Sequence, residues 1–297
     1  MKSVDIEVDE GKILGKTIGY PKCYCPEILV PIPRHLNRDI YGITNPDNLF
    51  CGYDTWHAYE CSVLTDSGVP VTFILKIVYP STSQYIVESK SLKLYLASFN
   101  MERLGTTKEF AIKEFISRVK RDLQNALKTE VQLGIFEYTY PQQPLTGYEG
   151  YRCIDNQLDT YNIQISNYTE TPALLQESCT NGEERYCTHL LKSNCKVTKQ
   201  PDWGSVYLYI KGDNIPTIES FIKYIISLRD ENHFHEEICE MIYKRLSDMF
   251  HPDELAVTCL YTRRGGIDIC PCRASNQELL NQTLQNHKYN DSPTFRR

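Results

Sequence analysis

No apolar run in the 297 residues approaches the ~20 that a membrane-crossing helix needs. The opening stretch from Met1 to Glu7 turns acidic almost at once and lacks the apolar core of a secretory leader, so a cytoplasmic protein is expected. A basic surplus is missing as well: 32 Lys and Arg against 38 Asp and Glu leave a net charge of −6. Domains that grip nucleic acid through counterion release are usually basic, so no direct nucleic-acid partner is expected. No GxGxxG follows a strand pattern, and no GxxxxGK precedes a Ser or Thr, which excludes the Rossmann and P-loop cradles for any nucleotide. CxxC is absent although cysteines number 12. The CxC pairs Cys23-Tyr24-Cys25 and Cys270-Pro271-Cys272 fit structural zinc spacing poorly, and reduced packing cysteines are expected for most of the set.

What is present is ordinary globular material, 41% hydrophobic and 24% charged, enough chain for about two domains. The first fifty residues are rich in proline and read as an irregular arm laid over a domain surface. Val71 to Tyr79 predicts a strand buried on both faces. A helix is expected over Ser89–Phe99. A longer one opens at Thr106 with Glu109 as a capping box and carries Ile112, Phe115, Val119, Leu123 and Ala126. Val131 to Tyr138 predicts another strand. The second half runs in the same order: a strand over Val206–Lys211, a helix after Pro216-Thr217, a helix carrying Phe234, Ile238, Leu246 and Met249, and a strand over Leu255–Tyr261. Val87-Glu88-Ser89 and Ile218-Glu219-Ser220 stand before like apolar series. Such self-similarity suggests two copies of one unit, joined by a polar connection over roughly Gly147–Glu183.

Four segments carry possible chemistry. Cys195 lies among Lys192, Lys196 and Lys199 in what reads as a polar loop before a strand, with Asp202 seven residues on, between Pro201 and Trp203. A thiolate nucleophile needs cationic or dipolar neighbours, and loop and strand edge could set thiol and carboxyl on one cavity wall. A half-exposed loop cysteine beside a turn aspartate is the plain alternative. His233-Phe234-His235-Glu236 heads a helix; a metal reading would use both histidines, but that spacing points them apart, and an acidic first turn is ordinary. Glu88 to Tyr95 is an amphipathic helix start with a lysine face. Arg263-Arg264-Gly265-Gly266 ends a strand, where guanidiniums beside glycines suit a phosphate or make a basic turn.

Together, ESKSLKLY (Glu88–Tyr95), LKSNC and QPDWG (Leu191–Gly204), FHEE (Phe234–Glu237) and YTRRGG (Tyr261–Gly266) resemble the QueF family of nitrile reductases in its longer, two-module type. Leu14-Gly15-Lys16, Tyr20-Pro21, Pro31, Pro33-Arg34 and Asn37-Arg38 resemble its N-terminal arm, so the likeness spans nearly the whole chain. The resemblance implies an α+β protein of two tandem tunnelling-fold (T-fold) modules, each an antiparallel sheet with two helices, over residues 1–165 and 166–297. It implies NADPH-dependent reduction of the nitrile of 7-cyano-7-deazaguanine to an aminomethyl group, a step toward the queuosine modification of tRNA, with two NADPH consumed per turnover and no metal. Cys195 is then the nucleophile that forms a thioimide, and Asp202 the proton donor, its carboxyl expected to sit high beside Trp203. Val87, Glu88, Ser89, His235 and Glu236 are assigned to the deazapurine, with Glu88 and Glu236 accepting from its N–H edge. Ser89, Lys90, Arg264 and Gly265 are assigned to NADPH. Lys196 and Lys199 depart from the neutral residues more usual there and are expected to lower the Cys195 thiol further. Cys239, Cys270 and Cys272 are expected to be packing cysteines. A homodimer is the expected assembly.

The main competing reading is a zinc-dependent purine enzyme of the same fold, similar to GTP cyclohydrolase, which would need a convergent Cys/His set. A non-catalytic purine-binding module is the third, and the intact Cys195 and Asp202 speak against it.

Overall fold

Long apolar alternation builds the sheet that organises the molecule. The computed structural model describes residues 21–136, 148, 150–158, 163–178 and 181–288. Leu14-Gly15-Lys16 and Tyr20 of the arm, and the expected strand beyond residue 136, lie outside the described residues. In the first half β2 (Cys51–Leu64) and β3 (Pro70–Pro80) form a hairpin, followed by β4 (Tyr85–Val87), α3 (Ser89–Ala97), α4 (Lys108–Leu127) and β5 (Gln132–Phe136). After β6 (Arg152–Cys153), the second half gives the hairpin of β7 (Gly182–Cys195) and β8 (Pro201–Gly212), then α5 (Ile218–Ser227), β9 (Asn232–His233) and α6 (His235–Phe250). It closes with β10 (Glu254–Tyr261), β11 (Ile267–Ala274) and α7 (Gln277–Lys288).

All these strands but β4 join one nine-stranded sheet in the order β5-β3-β2-β11-β10-β8-β7-β6, with β9 also beside β7. The pairing is antiparallel except where β6 and β9 meet β7. The seam between the halves is β2 against β11, continuous from Cys51 opposite Ala274 to Ala58 opposite Ile267. Pro271, Asp268 and Arg273 make β11 an unpromising strand to read, yet its eight residues are all buried.

Helices α3 to α6 cover one face, while α7 packs on the other through Leu279 and Leu280 against Tyr209, Ala256 and Ala274. In the first half Trp56, Phe73, Leu75 and Ile77 pack with Leu92, Tyr95, Phe115, Val119 and Leu123. In the second, Leu208, Ile210 and Val257 pack with Phe221, Ile225, Ile238, Ile242 and Leu246. Full burial of each such side chain contributes roughly 1.5–3 kcal/mol. Helix starts follow local chemistry. Thr107, not Thr106, caps α4, its hydroxyl accepting from Phe110 N at 3.2 Å, so Glu109 falls one place short of closing a reciprocal box. Thr217 caps α5 in the same way, accepting from Ser220 N at 3.2 Å.

The arm is more ordered and more deeply engaged than an irregular cover. β1 (Pro31–Pro33) pairs with β4, and α1 (His35–Ile40) and α2 (Pro46–Leu49) follow. Arg34 and Arg38 are buried against the seam. Arg38 forks onto Glu240 of α6 through Nε at 2.8 Å and Nη2 at 2.7 Å, while Arg34 pairs with Asp54 of β2. Arg273 of β11 joins both acids, with Nη1 2.8 Å from Asp54 and Nη2 2.8 Å from Glu240. Three guanidiniums against two carboxylates thus bind arm, seam and α6 together.

Candidate active site

Cys195 is the last residue of β7 rather than part of a loop. The β7–β8 hairpin sets Ser193 opposite Asp202, and Cys195, two residues beyond Ser193, shares that face by strand alternation. Its backbone closes the turn: Cys195 N donates to Gln200 O at 2.8 Å and Lys199 N donates to Cys195 O at 3.0 Å, with Lys199 left-handed at φ 57°. β9 runs parallel beside β7 and places His233 next to Cys195, which delivers the first turn of α6 to the thiol. Glu237 reaches back to accept from Phe234 N at 3.0 Å and fixes that turn.

From the other side come Val87 and the start of α3. From between β10 and β11 comes the turn Arg264-Gly265-Gly266-Ile267. Arg264 and Ile267 exchange backbone hydrogen bonds of 2.8 and 3.1 Å across the two glycines, whose φ values of 56° and 83° suit a two-residue I′ hairpin. These pieces enclose a cavity of about 500 Å³. Its wall includes Val87, Ser89, Lys90, Cys195, Asp202, His235, Glu236, Arg264 and Gly265, so both halves of the chain contribute. Glu88 is the exception: it is fully buried and lies behind the wall, not on it. Trp56, Lys93, Gln200 and His233 also line the space. Lys93 and Gln200 fall inside the ESKSLKLY and QPDWG motifs without a role of their own there, and Trp56 carries no signal in the sequence. Ile218-Glu219-Ser220, the look-alike of the first-half motif, builds no site; Glu219 accepts from Lys223 Nζ at 2.6 Å near the surface.

Asp202 is buried between His235, whose Nε2 lies 3.2 Å from Oδ2, and Arg264, which donates to Oδ1. Burial alone would push its carboxyl up, but hydrogen bonds and charge from His235 and Arg264 outweigh it and leave the pKa below the ordinary aspartate value. The expectation of a raised carboxyl is therefore corrected. Trp203, its supposed cause, is on the opposite strand face, 39% exposed under the Arg229 guanidinium.

The lysines around Cys195 are engaged elsewhere as well. Lys192 Nζ donates to Asn194 Oδ1 at 2.8 Å, and Lys196 Nζ to Glu237 Oε1 at 3.2 Å. The expected push of Lys196 on the thiol is thus diverted to a carboxylate.

The two histidines do point apart. His233 stands between Glu231 and Glu237, at 3.2 and 3.3 Å. Burial opposes its charge, yet the two carboxylates raise its pKa to about 9. His235 stacks on Tyr261 instead and leaves Nδ1 buried without a hydrogen-bond partner. Glu236 is 2% exposed, and burial, reinforced by the charge of Asp54, pushes its carboxyl up to about 8. Its Oε1 is buried without a partner. Two unpartnered polar atoms thus adjoin a thiol and an acid in one cavity, an arrangement suited to a polar guest.

Comparison with known proteins points to one family. Residues 20–135 match the profile described as nitrile reductase, 7-cyano-7-deazaguanine-reductase N-term, and residues 201–279 match that of the QueF-like proteins. NADPH-dependent 7-cyano-7-deazaguanine reductases of two Coxiella burnetii strains, Henzerling II and Dugway, are each 40% identical over 277 residues, 93% of this chain and 94% of theirs. The chain belongs to the QueF family. A solved structure titled as an apo archaeosine synthase QueF-Like is 19% identical, with a TM-score of 0.29 over 34% of this chain and 98% of its own.

The relatives are named as NADPH-dependent, and the residues lining this cavity fit the charge of such a nucleotide. Lys90, Lys93 and Arg264 stand on the cavity wall beside the backbone of Gly265. A Cβ on Gly265 would come within 3.1 Å of Lys93 Nζ, and one on Gly266 within 2.5 Å of the Glu60 carboxyl carbon, so the turn stays slim where a phosphate would approach. A smaller cavity of about 170 Å³ continues the cleft past Lys93, Gly265 and Ile267.

Proposed function

We propose that this chain reduces the nitrile of 7-cyano-7-deazaguanine to the aminomethyl group through a covalent thioimide on Cys195, and so serves queuosine biosynthesis. The observation that carries the reading is the wall that Cys195 and Asp202 share with Glu236, whose Oε1 is buried without a partner. Glu236 accepts from the N–H edge of the deazapurine, and the backbone flank of Val87 and Ser89 completes the seat. Glu88, buried between Val87 and Ser89, is proposed to accept from the same edge. NADPH, bound along Ser89, Lys90, Arg264 and Gly265, supplies the hydrides, two per nitrile.

Proton traffic follows from the charge of Asp202. Addition of the Cys195 sulfur to the nitrile carbon forms one C–S bond and converts the triple bond to a C=N double bond. The proton that the sulfur gives up passes to the Asp202 carboxylate and from there to the nitrogen, so the carboxylate is base first and acid second. His235, hydrogen-bonded to Asp202, orients it, and its Nδ1 is left open to the ligand. The first hydride adds to the thioimide carbon while the nitrogen takes a proton from water; the C–S bond then breaks with an N–H proton returning to sulfur, and the imine so formed accepts the second hydride and a second proton from water.

In this reading the halves are two tandem T-fold modules, divided near residue 165, with the cavity at their seam. A homodimer in the cytoplasm is the proposed assembly and place. Against the zinc-dependent alternative, neither of the two Cys/His/Asp/Glu groups close enough to share an ion, among the described residues, includes Cys195. Cys239 is buried and donates to Val257 O at 3.5 Å. The deciding experiment mixes the protein with the nitrile base and no NADPH. A peptide containing Cys195 should gain the full mass of the base; no gain there, or a gain on another cysteine, overturns the mechanism.

A further inference from the structure

A second set of chemical groups lies at the far edge of the sheet and takes no part in the reaction above. β6 is a two-residue strand whose Cys153 stands directly opposite Cys187 of β7. Strand alternation places His189 on the same face as Cys187. One donor atom from each of Cys153, Cys187 and His189 lies within 4.8 Å of the other two. A tetrahedral ion with zinc–sulfur bonds of about 2.3 Å holds its sulfurs about 3.8 Å apart, so only a small contraction is needed.

The surroundings are those of a held ligand set. Ser205 Oγ lies 2.7 Å from His189 Nδ1 and orients the ring from behind, as partners of metal-bound imidazoles do. Asp155 accepts from His189 N at 2.8 Å and from Thr188 Oγ1 at 2.6 Å, which fixes the backbone that carries the ring. Two thiolates and a neutral imidazole exactly balance a divalent charge in this half-buried place, and they are the soft and borderline donors that zinc prefers. The other close group, His57, Asp268 and Cys270, is weaker: both Asp268 oxygens are engaged, at 2.7 Å from His57 Nδ1 and 2.8 Å from Tyr59 OH.

We propose that Cys153, Cys187 and His189 bind one zinc ion, with water in the fourth position and release of the two thiol protons. The ion clips β6, which pairs with the sheet over two residues, to the first strand of the second half. None of the three lines the cavity of Cys195 and Asp202, so this proposal is independent of the reaction and revises the expectation of a metal-free chain.

The test begins with protein purified under reducing conditions, loaded with zinc chloride and dialysed. One zinc per chain is expected in the unaltered protein and in Cys195→Ala, and none in Cys153→Ser or His189→Asn. Cobalt(II) added to unaltered, zinc-free protein should give a thiolate-to-cobalt charge-transfer band, which does not depend on the variants folding. A chelator should lower the Tm of the unaltered protein and leave that of Cys153→Ser unmoved. Zinc lost with Cys195→Ala, zinc kept by Cys153→Ser, or no zinc and no cobalt band would each overturn the site. So would a Cys153–Cys187 disulfide in the freshly reduced protein.

Discussion

The imidazole of His235 lies flat on the ring of Tyr261, 3.7 Å between centroids and 5° between planes. The stack holds the imidazole edge toward Asp202, so Tyr261 acts on the acid through the histidine. Tyr261→Phe keeps the ring and should leave kcat near the parent value. Tyr261→Leu frees the imidazole and should lower kcat by roughly ten- to a hundredfold, the cost of a misplaced catalytic group, with little change in substrate affinity. Equal kcat in the two variants, by steady-state NADPH oxidation, would remove the positioning role.

Substrate affinity should rise with pH up to about 8. The Glu236 carboxyl is held up to about 8 by burial, and N–H donors of a deazapurine are bound by its ionised form. Below that value binding must first expel a proton, so affinity should climb about tenfold per pH unit and level off above it. The effect on folding has the opposite sign. A carboxyl raised above its unfolded value costs nothing below pH 4.5 and takes stability away as pH rises toward about 8. Glu236→Gln should therefore flatten the affinity profile, weaken binding by about 1.5–3 kcal/mol, and gain in relative Tm above pH 8. Titration calorimetry and thermal melts at several pH values check both halves.

Arg264 meets Asp202 in the free protein and is also the proposed NADPH contact. Since Arg264 and His235 together hold the Asp202 carboxyl below its ordinary value, its ionised form persists into acid, and activity that begins from it is lost only as pH falls through that depressed pKa. Arg264→Gln should shift the acid limb of kcat/KM for the nitrile to higher pH and raise the KM for NADPH. Arg264→Lys keeps the charge but loses the fork that also reaches Gln200 Oε1 at 2.8 Å, and should restore the limb better than the KM. An unmoved acid limb in Arg264→Gln would detach Asp202 from the profile.

These relations divide what a sequence can say of such a site from what it cannot. Ser89, the start of α3, and Thr217, the cap of α5, were readable because the signals are local. The clustering of Cys195, Asp202, His235 and Arg264 was readable only through the family motifs. The charge state of Asp202 was not readable at all, because it is set by residues brought from α6 and from the β10–β11 turn while its chain neighbour Trp203 faces away. β7 was mistaken for a loop up to Cys195 because its lysines and asparagine break the apolar alternation, and β11 was missed because Pro271 and two charged residues sit in a strand buried on both faces.

The arm offers the largest single effect on stability. Glu240 is buried among Arg38, Arg34 and Arg273; burial would raise its carboxyl, but the guanidiniums overcome this and bring it down to about 2. Because the folded pKa lies below the unfolded value of 4.5, this stability is complete above pH 4.5 and is lost as pH falls toward about 2. Glu240→Gln leaves Arg38 without its bidentate partner and Arg273 with Asp54 as its one carboxylate. Removal of one partner from a buried pair typically costs about 3–5 kcal/mol, and the variant should show it in guanidinium melts at neutral pH. It should also lose much of the parent's acid sensitivity between pH 4.5 and pH 2, because the titrating group is gone. Arg38→Met, which fills the same space without charge, should fall between the two, since Arg273 and Arg34 still face Glu240. A Glu240→Gln protein as stable as the parent at neutral pH would mean that the arm is held by its β1–β4 pairing and apolar contacts, and that the buried ions contribute nothing net.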